Sequence, residues 1–216
     1  MKNVLFDLDG TIADTKRNKG EILKECSDLL GLPPIDRNEY LVAHAKVLRK
    51  GRVDTRYEIF RRILEDKGVK DPDEKAEDLE REYRSKTLKE LRVLDDAYSV
   101  LNELSGGFLC LITNGPRITQ REKVENLNLD NYFDAIVISG EVGVCKPDPK
   151  IFWHILDPAE RDGTVLVGDS RLNDVKGAQN AGISSILVKG RSTEDFGPKA
   201  TWEVERLQEI LGIIAI

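Results

Sequence analysis

The chain has 216 residues, 40% of them hydrophobic and 33% charged, with a formal net charge of -6. That length and mixture suit one large folded domain, or a medium domain with a smaller partner, and exclude an intrinsically disordered chain. Both signs of charge are interspersed under a negative balance, which argues against nucleic acid as a partner, because backbone binding needs clustered positive charge.

The opening MKNVLFDLDG carries acids where a signal peptide would need an unbroken apolar run, and no later stretch is long enough for a membrane span. A cytoplasmic location and no membrane partner are therefore expected. Within that opening, the run Val4–Leu8 predicts a buried strand. From about Lys16 to Leu91 such runs are missing, and helices are expected near Lys19–Leu30, Arg37–Arg49, Thr55–Lys67 and Asp73–Leu91. Gly31-Leu32-Pro33-Pro34, Lys50-Gly51-Arg52 and the stretch from Gly68 to Pro72 separate them, with Asp71 or Asp73 as a candidate cap for the last. Short β-branched runs at Phe108–Ile112, Ala135–Ile138, Val165–Val167 and Ser185–Val188 predict further buried strands, joined by amphipathic segments suited to crossover helices. The pattern is α/β: a doubly wound parallel sheet built from residues 1–15 and 92–216, with an α-helical insert at 16–91 after the first strand. Leu207–Ile216 is expected to form a last helix packed on the core. Cys26, Cys110 and Cys145 are odd in number and widely spaced, which fits buried thiols better than a disulfide framework.

The polar residues fall where these strands end. Asp7 and Asp9 are two apart on an extended segment and so project together, Gly10 permits a tight turn, and Thr11 can hydrogen-bond back into it. Thr113-Asn114-Gly115 and Gly168-Asp169-Ser170 follow two other runs, and in an open parallel sheet such ends share the ligand-binding edge. In Lys146-Pro147-Asp148-Pro149, the lysine is held extended before proline while Asp148 and Pro149 start a helix, so the ammonium can sit at that edge. Asn173-Asp174 opens another helix that Gly182 can end, which brings Asp174 close to Asp7, Asp9 and Asp169. Carboxylates at this density select a hard cation such as Mg2+, and with a lysine, a hydroxyl and amide donors they suit a phosphoryl dianion. One carboxylate can attack phosphorus while its neighbour handles the leaving group's proton.

In chain order, Asp7-Leu8-Asp9-Gly10-Thr11, Thr113-Asn114-Gly115, Lys146-Pro147-Asp148-Pro149 and Gly168-Asp169-Ser170 with Asn173-Asp174 resemble the four motifs of the haloacid-dehalogenase-like (HAD) superfamily. The resemblance implies a HAD-type Rossmann-like core, a helical C1 cap of subfamily I at 16–91, and Mg2+-dependent hydrolysis of a small phosphomonoester through an aspartyl-phosphate. It makes Asp7 the nucleophile and Asp9 the acid and base. Mg2+ would be held by Asp7, the Asp9 carbonyl and Asp169. Thr113 and Lys146 would grip the phosphate, with Asn114 and the backbone around Leu8 and Asp9 adding hydrogen bonds, and Asp174 would support Lys146 and the metal's water shell. True haloacid dehalogenases look similar but lack the second aspartate, which counts against dehalogenation. A phosphomutase of the same superfamily stays open, because the core motifs do not separate it from a phosphatase. A receiver-like signalling module is a third reading, against which the insert and the Asp7-Leu8-Asp9 pair both count. The expected partner is a small phosphorylated metabolite whose identity the cap sets, and both monomer and homodimer are open.

Other residues carry weaker signals. The basic stretch Arg49-Lys50-Gly51-Arg52, with His44 and Arg56 nearby, could reach an acidic or phosphorylated substrate, but a solvated helix end is the preferred reading. His44 is read as a surface or core residue, Tyr40 and Tyr57 as candidates to line a substrate cavity, and Trp153 and Trp202 as packing residues.

Overall fold

In a computed structural model that describes residues 3–94, 96–190 and 196–214, the five apolar runs become strands β1 (Asn3–Phe6), β4 (Leu109–Thr113), β5 (Ala135–Ile138), β6 (Thr164–Gly168) and β7 (Ser184–Val188), and β2 (Ala13–Thr15), β3 (Leu91–Val93) and β8 (Trp202–Val204) join them. Six of them form one parallel sheet in the order β5-β4-β1-β6-β7-β8. Every residue of β4 and β6 is buried, which is why these strands read as continuous apolar runs and not as alternating ones. Side chains still alternate between faces: Val4, Phe6, Leu111 and Val167 enter one core cluster, while Leu5, Cys110, Ile112 and Leu166 enter another. β1 lies between β4 and β6, with Phe6 in register with Leu111 and Val167. The strand order runs outward on one side of β1 and then on the other, so a crevice opens beyond the carboxyl ends of β1, β4 and β6.

Above that edge stand helices α1 (Lys19–Leu29), α2 (Arg37–Leu48), α3 (Tyr57–Asp66) and α4 (Pro72–Glu90), each within two residues of its expected bounds. Asn18 caps α1 and a capping box of Asp36 and Glu39 opens α2. Pro72 begins α4, but Asp71 makes no side-chain cap, because its backbone is left-handed (φ 50) where a cap needs an extended residue. The helices pack on a cluster of their own that includes Ile22, Tyr40, Phe60, Leu64, Leu79 and Tyr83, and the rings of Phe60 and Tyr83 meet edge to face at 5.7 Å. The connection between α2 and α3 ties this layer to the rest. Val53 donates to the Gly140 carbonyl at 3.0 Å and accepts from the Arg117 amide at 2.8 Å, and Asp54 pairs with Arg117 at 2.6 Å. Arg84 of α4 adds an ion pair to Glu122, with Nε at 2.6 Å. The chain enters and leaves the helical layer through the antiparallel pair β2 and β3, in register at Ala13 and Val93.

Several features depart from the expectations. β2, β3 and β8 are three residues each, too short to show a period, and β8 is an edge strand whose Trp202 is 39% exposed. Trp153 is 49% exposed beside the Arg161 guanidinium, so neither tryptophan is a core residue. The expected last helix is a 3₁₀ helix at Leu207–Gly212. Residues 1, 2, 95, 191–195, 215 and 216 of the expected spans lie outside the described residues. Cys26, Cys110 and Cys145 are buried and free. Among the described residues no helix is long and apolar enough to cross a membrane.

Phe60, fully buried at the centre of the helical cluster, gives the first test. Phe60→Ala should cost about 3–5 kcal/mol and lower Tm by roughly 10 °C in calorimetry. An unchanged Tm would mean that this cluster does not hold the helices together.

Candidate active site

Asp7 leaves the end of β1 and Lys146 comes to it from a loop 139 residues later in the chain. The Lys146 ammonium is buried, its side chain 1% exposed, and it has three protons and three acceptors: Asp7 Oδ1 at 2.6 Å, Asp174 Oδ1 at 2.6 Å and the Ile112 carbonyl at 2.8 Å. Burial alone would lower the lysine's pKa, but Asp174 and Asp7 raise it instead, so it stays charged. Asn114 holds the lysine's backbone, its amide donating to the Lys146 carbonyl and its oxygen accepting from the Lys146 amide, both at 2.9 Å. One Asn114 amide proton is thus used in positioning, and its second remains for the cavity that Asn114 lines. Asp148 caps the following 3₁₀ turn by accepting from the Lys150 amide at 2.9 Å.

Asp174 stands on a π turn, Arg171–Val175, that precedes α5, the helix at Lys176–Ala181. It accepts from the Ser170 amide at 3.0 Å, and Gly182 ends the helix with φ 73 as expected. Glycine is required at 168, because a Cβ there would fall 2.3 Å from Asp174 Oδ2. The turn after Asp9 is closed by the backbone alone: Gly10 donates to the Ala13 carbonyl at 2.9 Å, and Thr11, Ile12 and Ala13 all donate to the Leu8 carbonyl. The buried Thr11 hydroxyl has no partner among the described residues, contrary to expectation.

The Asp9 carboxylate points to a different set of partners. Lys123 reaches both its oxygens at 2.8 and 2.6 Å, Lys19 reaches Oδ1 at 2.8 Å, and Gln120 Nε2 donates to Oδ2 at 3.0 Å. Burial would raise its pKa, but Lys123 and Lys19 outweigh burial and hold the carboxyl well below its usual range. Burial pushes Lys123 down to about 8 despite Asp9. Gln120 also donates to Thr113 Oγ1 at 2.6 Å, which leaves the buried Thr113 hydroxyl its own proton to donate. Lys19, Gln120 and Lys123 were not anticipated. Gln120 and Lys123 share one face of a helix at Arg117–Asn126, and a polar i, i+3 pair looks the same in sequence whether it faces solvent or a site.

Over this floor lies a cavity of about 640 Å³, roofed mainly by one face of α2 with Arg37, Tyr40, His44 and Arg49. Arg49, Arg56 and His44 line the cavity, while Arg49, Lys50 and Arg52 are all exposed, so the solvated-end reading of that stretch holds with Arg49 at the cavity rim. Tyr40 lines the cavity as expected, whereas Tyr57 bonds Asp73 on the surface at 2.5 Å. Burial, Arg56 and Lys123 push His44 down to about 3, so its ring is neutral.

The profile of the haloacid dehalogenase-like hydrolase family matches residues 4–188. The N-acylneuraminate-9-phosphatase of Mus musculus is 33% identical, covering 99% of this chain and 94% of that protein. The glyceraldehyde 3-phosphate phosphatase of Methanothermobacter thermautotrophicus is 31% identical, covering 90% of this chain and 88% of that protein. A magnesium-bound HAD-hydrolase of Bacillus subtilis shares the fold, with a TM-score of 0.73 at 22% identity over 100% of this chain and 99% of that one.

The acidic floor fits a divalent cation. Ligand oxygens of Asp7, Asp169 and Asp174 lie within 4.8 Å of one another, and a Cβ on Gly10 (φ 87) would fall 2.3 Å from Asp169 Oδ2, so glycine keeps the space clear. Asp174 is already engaged by Lys146 and Ser170, which leaves Asp7 and Asp169 as the freer pair. The Asp9 carboxylate stands outside the cluster and leaves only its carbonyl to offer. Burial raises Asp7 to about 7, against the pull of Lys146, and burial with Asp7 and Asp174 raises Asp169 well above the carboxylate range. For Asp7 this means a contribution to stability that is fully present below the unfolded value of 3.8 and lost as pH rises through about 7. A bound cation offsets that loss. Added Mg2+ should therefore raise Tm clearly at pH 8 and little at pH 5, and equal shifts at both would count against these carboxyls as ligands.

Proposed function

This chain belongs to the haloacid dehalogenase-like hydrolase family and is an enzyme of its phosphatase group, and we propose that it hydrolyses a small phosphomonoester with Mg2+ through an aspartyl-phosphate on Asp7. The observation that carries this reading is the placement of Asp7 at the sheet edge. One of its oxygens is fixed by Lys146 at 2.6 Å, and the cavity opens over it.

A phosphoryl group entering the crevice meets the Lys146 ammonium and the free proton of Thr113. The Asp7 oxygen that Lys146 does not hold attacks phosphorus in line. The Asp7–phosphorus bond forms as the ester bond breaks, and the leaving alcohol takes the proton of Asp9. Water then attacks phosphorus, gives its proton to Asp9 and releases Asp7. Asp7, Asp169 and the Asp9 carbonyl would hold Mg2+, which would supply charge neutralisation for the phosphoryl group. Asp174 and Asn114 keep Lys146 in place through its side chain and backbone. The lysines on Asp9 suit its basic role in the second half. In the first half Asp9 must carry a proton, and the entering dianion competes for Lys19 and Lys123 and so relieves their opposition.

Residues 16–91 act as a cap that excludes water and selects the substrate, which is supported by the cavity face of α2. Three buried free thiols fit a reducing compartment, in keeping with a cytoplasmic location.

Asp7→Asn should reduce Mg2+-dependent phosphate release from p-nitrophenyl phosphate by about 10³-fold or more. Asp9→Asn should lose about 10²–10⁴-fold. Undiminished turnover in the first variant would sink the reading, and undiminished turnover in the second would remove Asp9 from proton transfer.

A further inference from the structure

The cavity is larger and more positive than a phosphoryl group requires. At about 640 Å³ it has room for a multi-carbon substrate, and its walls carry Lys19, Arg37, Arg49, Arg56, Lys123 and Lys146 against the four site carboxylates. The lysines are accounted for by those acids, Lys146 by Asp7 and Asp174, and Lys19 and Lys123 by Asp9. The arginines are not. Among the described residues no carboxylate makes an ion pair with Arg37, Arg49 or Arg56.

Arg56 is the most telling of the three. It is 6% exposed, donates to the Tyr40 hydroxyl at 3.0 Å and to Thr119 Oγ1 at 3.4 Å, and lies 5.2 Å from the Tyr83 ring centroid. These neutral groups orient the guanidinium without balancing its charge. A buried cation with no counterion is costly to keep, and the cost is removed when an anion arrives. Arg37 and Arg49 flank α2, the helix whose Tyr40 and His44 rings stack at 5.7 Å on the cavity wall between them. The charge left without an ion-pair partner is therefore carried by the helical roof, on the same cavity as the floor whose carboxylates already hold the lysines.

We propose that the substrate carries a second anionic group, a carboxylate or a further phosphate, besides the phosphoryl group it loses, and that Arg56 with Arg37 and Arg49 receives it. This rests on the phosphatase reading above for which end of the substrate is cleaved. The planar fork of a guanidinium suits either anion, because both present paired oxygens. The Tyr40 and His44 rings pack against the carbon frame between the two charges.

Two probe pairs test this and separate the sources: 6-phosphogluconate against glucose 6-phosphate for a carboxylate, and fructose 1,6-bisphosphate against fructose 6-phosphate for a phosphate. At least one charged probe should exceed its partner about 10-fold or more in kcat/KM. Arg37→Gln and Arg49→Gln, at positions that are not deeply buried, should each cut that ratio several-fold while Tm is retained, and Arg56→Lys should keep more of it than Arg56→Gln. Calorimetric binding of the same probes to the Asp7→Asn variant reads the discrimination without turnover. If p-nitrophenyl phosphate is hydrolysed but neither pair is discriminated, the second-anion site is wrong and the phosphatase reading stands. If nothing is hydrolysed but binding still favours a charged probe through the arginines, the phosphatase reading fails and the anion site stands. No discrimination in either measurement overturns the proposal.

Discussion

The arrangement at the sheet edge hangs on the burial of one ammonium group. Lys146 must find three acceptors away from water, and they come from the end of β1, the end of β4 and the π turn after β6. If any one is withdrawn, a buried charge is left short of a partner, at a cost of several kcal/mol. The network is satisfied as a whole or not at all. This explains features that look unrelated in the chain: an amide at 114 to hold the lysine's backbone, and a glycine at 168 so that Asp174 can approach.

Charge is distributed in two layers. The floor, on the sheet edge, is nearly self-compensating, with Lys146 between two aspartates and Asp9 between two lysines. The crowding of Asp7 and Asp169 is the part left over, and both titrate upward because burial, together with the neighbouring carboxylates, outweighs the pull of Lys146. The roof is the reverse, with the buried Arg56 guanidinium bonded to neutral partners and, among the described residues, in no ion pair. In a cavity with low-dielectric walls such fields are focused, so a substrate is oriented by its charges before it makes close contacts. A preorganised floor suits chemistry, and an unbalanced roof suits selection.

The sequence was legible where one physical rule dominates. β4 and β6 are buried on both faces and could be read from composition, and the four helices could be bounded by their glycine and proline breaks. Asp7, Thr113, Lys146, Asp169 and Asp174 were legible because strand ends of a parallel sheet converge, so their positions in the chain carry their positions in space. β8 was missed because a three-residue edge strand with an exposed tryptophan shows neither period nor apolar run. Lys19, Gln120 and Lys123 were missed for a deeper reason. Their roles arise only when helices from distant parts of the chain meet at Asp9, and nothing local marks a lysine as buried. The basic stretch after α2 is exposed as read, and what the sequence left unmarked is that Arg49 also borders the cavity and that Arg56 is buried.

Lys19 shows how the two layers are joined. It is the first residue of α1, so its backbone belongs to the helical layer, while its ammonium bonds both Asp9 at 2.8 Å and Asp14 at 2.7 Å. Asp14 in turn sits on β2, at the point where the chain leaves the sheet for the helices. One of the two cations that keep Asp9 ionised is therefore carried by the roof, and the other, Lys123, by the floor. Any displacement of α1 relative to the sheet changes the charge on the Asp9 side of the site while leaving the Lys146 network untouched. The seat of the helices and the proton affinity of Asp9 thus share a contact, whereas the hydrogen bonds that grip Asp7 come from Lys146 and involve no residue of α1.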